Sequence, residues 1–319
     1  MVLGAAGQED HPHPETSASV GATAVFLNPE PGDGGKRHEG KGVKIFARVD
    51  GKNEDPNTCE DRVGLIKEGD QIAACAVDGI GSGTDKPATV ALAKALAKNI
   101  SEDLLDPNAE LIATADQFKQ RIISALERTI AEVNGEHANV EKLGACITVL
   151  LVDLKKRISW ILRVGDGFNG WMTPDGQIDP FFCRKALLPE TKNVYELLQA
   201  NRNVGQVIEE IIRKGKGSTL TDAICAGKRT DRNRLDILKP ETLHIPEGGG
   251  TFFIGSDGIM SFALNLGENQ EGGTEKVNWL HEEAHKAKLD DVASIAITVG
   301  PLSRMQKLTK FFSRILLGS

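Results

Sequence analysis

Gln71 to Thr84, QIAACAVDGIGSGT, is the stretch whose reading decides the fold. An apolar, β-prone run ends in Asp78, and a glycine-rich turn follows at once. Such a run reads as a strand buried on both faces. Its tip presents one carboxylate beside backbone that has no side chains to block approach. An acid in that setting costs free energy unless something positive neutralises it. The stretch therefore asks for a cation, and other ligands must come from elsewhere in the chain.

The same design recurs. Thr251 to Ile259, TFFIGSDGI, is an apolar strand followed by Asp257 and Gly258. Leu289 to Val299, LDDVASIAITV, runs it in reverse, with Asp290 and Asp291 opening the strand. Arg163 to Gly167, RVGDG, places Asp166 at the end of ISWILRV, and Cys59-Glu60-Asp61 stands just before RVGLI. Acids gathered from separate strand ends suit Mg²⁺ or Mn²⁺, hard cations that choose oxygen ligands and keep several waters. The acidic positions hold no His or Cys, which argues against zinc.

In this order, CED, AVDGIGSG, LGACITVLLVD, RVGDG, FFIGSDGI and LDDVASIAITV, the motifs make the chain resemble the metal-dependent protein phosphatases of type 2C from about Gly42 to Val299. The resemblance implies an α+β fold: a four-layer α-β-β-α sandwich, two antiparallel sheets face to face with helices on both outer sides. It implies that Asp78 bridges two Mg or Mn ions, that the Gly79 carbonyl faces one of them, and that Asp257 and Asp290 complete a shell. Glu60 and Asp61 would hold waters of the metal site, and Asp166 would be a structural turn. The implied activity is hydrolysis of phospho-Ser/Thr in proteins, with Asp78, Asp257 and Asp61 as the catalytic acids. Two divalent ions about 3.5–4 Å apart lower the pKa of a bridging water and clamp phosphoryl oxygens.

Departures from that pattern matter as much. The family usually carries an Arg a few residues before its acid pair; here Pro56 and Asn57 occupy that neighbourhood. Lys52 and Arg48 are the nearest cations and the candidates for gripping the substrate phosphate. Gly-Asp-Ser has become Gly165-Asp166-Gly167, and Leu188 to Asn193 lacks the Asp and His of a third metal site. A second reading, of a different class, follows: a pseudophosphatase that keeps the fold and acts as a regulatory binding module. Asp55 is a rival to Asp61, but an apolar strand follows Asp61 directly.

Composition bounds the rest. The chain has 319 residues, 40% of them hydrophobic and only 5% aromatic, so aliphatic side chains must fill the core. A net charge of −7 disfavours a nucleic-acid binder, which would show a basic face. Five cysteines, an odd number without a CxxC pair, fit a reducing, cytoplasmic setting. Residues 1–41 read as a flexible segment with a first strand near 20–27, residues 42–300 as the phosphatase-like domain, and residues 301–319 as a basic amphipathic helix. In that helix Leu302, Met305, Leu308, Phe312 and Ile315 share one side and Arg304, Lys307, Lys310 and Arg314 another. It packs on the domain or docks to a partner protein or acidic membrane. KPATVALAKALAKNI and residues 109–134 read as helices.

Two other motifs compete. GIGSG mimics a dinucleotide-binding turn, but Thr84 stands where the fingerprint needs a third glycine. His281-Glu282-Glu283-Ala284-His285 matches a zinc-protease helix, yet no Glu or His follows His285 as a third ligand.

Overall fold

The unbroken apolar run from Gln71 forms a strand covered on both sides. A computed structural model describes residues 24–40, 42–53, 55–80, 86–136, 143–165, 167–176, 178–179, 224–225, 240–259, 272–287, 290–303 and 307. In it, β5 (Gln71–Ile80) pairs with β4 (Arg62–Glu68) and β6 (Gly144–Asp153). Beyond β4 lies β1 (Val25–Phe26); beyond β6 lie β7 (Ile158–Val164) and β11 (Glu241–His244). A short β10 (Ile224–Cys225) pairs with the start of β6.

The second sheet runs β2 (Lys36–Gly40), β3 (Val43–Asp50), β13 (Val292–Val299), β12 (Gly250–Gly255), β8 (Phe168–Met172) and β9 (Ile178–Asp179). Every pairing among the described residues is antiparallel. Three helices are described: α1 (Lys86–Leu104), α2 (Ala115–Glu136) and α3 (Thr274–Ala287).

Period-2 alternation sorts the strand residues into layers. Ile72, Ala74 and Ala76 of β5 meet Ile45, Phe252 and Ile295 of the other sheet in a core between the sheets. Ala73, Cys75 and Val77 point the other way, onto Leu92 and Leu96 of α1 and Ile122 of α2. On the far side, Phe46, Phe253 and Ala296 meet Val277, Leu280 and Ala284 of α3. The result is the four-layer α-β-β-α sandwich. The α1 layer sits close on its sheet: a Cβ at Gly64 would lie 1.9 Å from the Ala97 carbonyl oxygen.

Two elements differ from the sequence reading. The second helix starts at Ala115 rather than near 109. Thr114 Oγ1 accepts from Gln117 N at 3.2 Å while Gln117 Oε1 accepts from Thr114 N at 3.1 Å, a reciprocal cap that sets the boundary. In the segment 1–41, residues 25–26 pair within the range that reads as a first strand, whereas residues 36–40, which read as loop, add an edge strand to the other sheet. Lys36–Gly40 is short and charged, as exposed edge strands are, so its pairing left no hydrophobic signal. Residues 1–23 lie outside the described residues, as does most of the segment 301–319 read as a helix; within it, Lys307 N bonds to the Ser303 carbonyl at 3.0 Å. Among the described residues, no helix is long and apolar enough to cross a membrane.

Candidate active site

The alternation that builds the inter-sheet core also aims the acids. On β5 the inward residues lead to Asp78, and on β4 Val63 and Leu65 lead back to Asp61. On β13 Ala293 and Ile295 lead back to Asp291, and on β12 Phe252 and Ile254 lead on to Ser256. β4 pairs Arg62 with Val77 of β5, a register that sets Asp61 across from Asp78. Gly79 N donates to the Glu60 carbonyl at 3.2 Å, one step further along. A Cβ at Gly79 would lie 2.9 Å from that carbonyl oxygen and 2.8 Å from Thr89 Cγ2, so this strand tip needs glycine.

The two sheets meet at the same end. Ser256 N donates to the Ala293 carbonyl at 3.1 Å, and Ala293 N donates back to Ser256 Oγ at 3.0 Å. Ser256 also lies near enough to Asp61 of the other sheet to lower its carboxyl. The turn Asp257–Ile259 rides on Asp291, whose carbonyl oxygen would lie 2.3 Å from a Cβ at Gly258. The Asp291 carboxylate accepts from Lys52 N at 2.6 Å and Glu60 N at 2.7 Å. Asp290 is exposed, and its Oδ1 accepts from Asp291 N at 2.9 Å.

Negative charge accumulates here faster than its neighbours offset it. Burial pushes the Asp61 carboxyl well above the ordinary range; Ser256 pulls it back, and Asp291, Asp257 and Asp290 push it further up. Its Oδ2 is buried with no hydrogen-bond partner. Burial also raises Glu60, with Lys86 lowering it and Asp291 and Asp290 raising it. Cys59, buried beside this pair, is driven upward by burial and then by Asp61, so its thiol stays protonated and unreactive.

The structure thus brings Asp61, Glu60, Asp257, Asp290 and Asp291 into one field, with Asp78 across from Asp61. Among the described residues, no three His, Cys, Asp or Glu side chains converge closely enough to hold a metal ion. Like charges repel, and in this arrangement Asp291 leans on two main-chain donors instead. Asp55, the rival, caps the exposed turn Pro56–Thr58 through Asn57 N at 2.9 Å.

The candidate phosphate-gripping cations fare differently. Lys52 is exposed, with its amide on Asp291. Arg48 lies on the α3 side of its sheet, where Nε donates to Asp50 Oδ2 at 2.6 Å and Nη1 reaches Asn278 and Glu282 at 3.3 Å. The zinc-protease motif is also spoken for. His281 is fully buried, with Nε2 at 3.0 Å from Asp50 Oδ2 and Nδ1 at 2.7 Å from Ser294 Oγ. Asp50 and its ionised carboxylate only accept, so Nε2 donates and Nδ1 takes the serine proton. Asp166 and Leu188 to Asn193 lie outside the described residues.

A family model described as Protein phosphatase 2C matches residues 52–312. The chain belongs to the protein phosphatase 2C family. Solved structures agree on the fold of this 2C-family chain. The serine/threonine phosphatase of S. agalactiae superposes with a TM-score of 0.54 at 15% identity, covering 81% of this chain and 99% of that one. Serine/threonine phosphatase Stp1 from Staphylococcus aureus gives 0.51 at 17% identity, covering 83% and 98%. No curated protein sequence matches the chain.

The donor set of this 2C-family site suits a hard divalent cation. All of it is oxygen, from carboxylates and the Gly79 carbonyl. The decisive fit is Asp61: a buried carboxylate with one unpartnered oxygen among like charges is what a bound cation would stabilise. Two residues of the site escaped the sequence reading. Ser256 was visible only as a neighbour of Asp257, and Asp291 only as a companion of Asp290; the contacts that give each its place run to residues far away in the chain.

Proposed function

We propose that this protein is a Mg²⁺- or Mn²⁺-dependent protein phosphatase that hydrolyses phospho-Ser/Thr monoesters. The observation that carries the proposal is Asp61, buried with its Oδ2 unpartnered and within the electrostatic reach of Asp291, Asp257 and Asp290. Asp78, the Gly79 carbonyl, Asp257 and Asp290 would hold two ions, with Glu60 and Asp61 behind them. When bound, such ions activate water and neutralise phosphoryl charge. The chain's own part is to hold the acids in place. Ser256 tempers the buried Asp61 carboxyl, Gly79 lets Glu60 lie against the β5 tip, and the inter-sheet core closes the floor to water. A catalytic constellation held by packed strands lowers the barrier by preorganisation rather than by covalent chemistry.

The test is hydrolysis of a phosphothreonine peptide by the purified chain with Mn²⁺. Turnover that falls at least about 100-fold in Asp78→Asn and in Asp257→Asn supports the proposal. Turnover untouched by both substitutions overturns it.

One observation favours the second reading, a binding module without turnover. Arg48 is already committed to Asp50, Asn278 and Glu282, which leaves Lys52 of the two expected phosphate-gripping cations, with Lys86 the cation felt by Glu60. Tight Mn²⁺ binding with no hydrolysis of any phosphopeptide selects that reading.

A further inference from the structure

Asp291 holds two main-chain amides with one carboxylate. Its Oδ1 takes Lys52 N at 2.6 Å and its Oδ2 takes Glu60 N at 2.7 Å. Both are short, charge-assisted bonds, the strong class of backbone contact. The two amides bracket the connection from β3 to β4. The ends of that connection also touch: a Cβ at Gly51 would lie 3.1 Å from Cys59 Cβ. A loop whose ends are closed on themselves moves as a unit. This one carries Glu60 and leads directly into Asp61.

We propose that Asp291 is a positioning residue: its carboxylate clips both ends of the Lys52–Glu60 segment to the head of β13 and so sets where Glu60 and Asp61 stand. The neighbouring acids then divide their work. Asp290 is exposed, while Asp291 spends both oxygens on amides. An acid serves the two amides with separate oxygens. An asparagine at 291 offers a single acceptor atom, and its amino group would face an amide N–H, donor against donor. Cys59 reports on the clip, because it lies within the segment and is fully buried.

The clip stands on geometry alone; its consequence for metal affinity rests on the function proposed above. The experiment separates them. Amide hydrogen exchange and thiol labelling are measured on the full metal-free chain, for wild type, Asp291→Ala, Asp291→Asn and Asp290→Asn. Loss of a hydrogen bond to a charged group is worth at least about tenfold in local opening. The expected result is exchange at Lys52 and Glu60 faster by about that factor or more in both Asp291 variants. Cys59 becomes reactive there, while buried Cys75 and Cys146 stay silent and Asp290→Asn behaves as wild type. A merely structural residue would loosen all three cysteines together.

In Mn²⁺ titrations followed by direct binding, both Asp291 variants weaken half-saturation by about tenfold, with turnover at saturating metal reduced much less. Wild-type exchange and an unreactive Cys59 in both Asp291 variants overturn the proposal. If Asp291→Ala does not fold, Asp291→Asn, which keeps one acceptor, decides alone. Absence of any turnover sinks the phosphatase reading and leaves the exchange result standing.

Discussion

Asp61 is the residue at which fold and site pull in opposite directions. Folding buries its carboxylate beside Ser256, which lowers it, and leaves Oδ2 without a partner. A buried unsatisfied polar atom costs about 1–3 kcal/mol, more when charged. Neighbouring Asp257, Asp290 and Asp291 add repulsion. Asp61→Asn removes the charge and preserves shape. Metal-free protein carrying it should be more stable than wild type by about 1–3 kcal/mol at neutral pH, measured by urea denaturation. The sign follows from the raised carboxyl: the folded state holds the proton more tightly than the unfolded chain. Ionisation above the ordinary carboxylate range therefore destabilises the fold, and Asn cannot ionise. The same variant should lose its response to Mn²⁺. A destabilised Asn variant would mean that Asp61 serves packing alone.

At the scale of elements, α3 is fastened to its sheet by polar contacts as well as by Val277 and Leu280. His281 bridges Ser294 of β13 and Asp50 of β3, and Arg48 closes the network. Burial holds the His281 imidazole below its ordinary value of 6.5, against the pull of Asp50. Burial works the other way on Asp50, yet His281 and Arg48 bring its carboxyl below the usual range. The unfolded chain thus takes up a proton at His281 that the folded one refuses. The contribution is intact above pH 6.5 and shrinks as pH falls below it, at up to about 1.4 kcal/mol per unit. Between pH 7.5 and 5.5, wild type should lose stability more steeply than His281→Gln; parallel curves would show that the pair does not link α3 to protonation. This network also marks how far the sequence could be read. HEEAH was legible as a helix, and its lack of a third ligand argued against zinc. That His281 faces Asp50, over 200 residues away, was not legible, because no local period encodes a contact between distant strands. Likewise Arg48 could be named as a nearby cation, but only the register of β3 with β13 shows which face of the sheet carries it.

For the whole molecule, the acids sit where two sheets end together, so assembling the sandwich and concentrating negative charge are one event. The chain carries a net charge of −7, and several of its acids crowd this single mouth. The strand-end acids were readable in the sequence because buried antiparallel strands must finish in polar residues at a common edge. Their mutual distance was not, since it depends on both sheets packing in one register. A cation that binds only the folded arrangement must stabilise the whole fold by mass action. At one hundred times its dissociation constant, that effect is about 2.7 kcal/mol. For a chain of this size it corresponds to a rise of roughly 5 °C in the unfolding midpoint. We therefore expect Mn²⁺ or Mg²⁺ to raise the midpoint by several degrees in a concentration-dependent way, and a chelator to reverse the rise. Ca²⁺ should do less if the mouth favours small octahedral ions. Asp78→Asn should flatten the response while leaving the metal-free midpoint within a few degrees of wild type, because Asp78 is only partly buried at a strand tip. A midpoint indifferent to divalent ions in wild type would separate the acidic mouth from metal binding and leave its charge to some other partner.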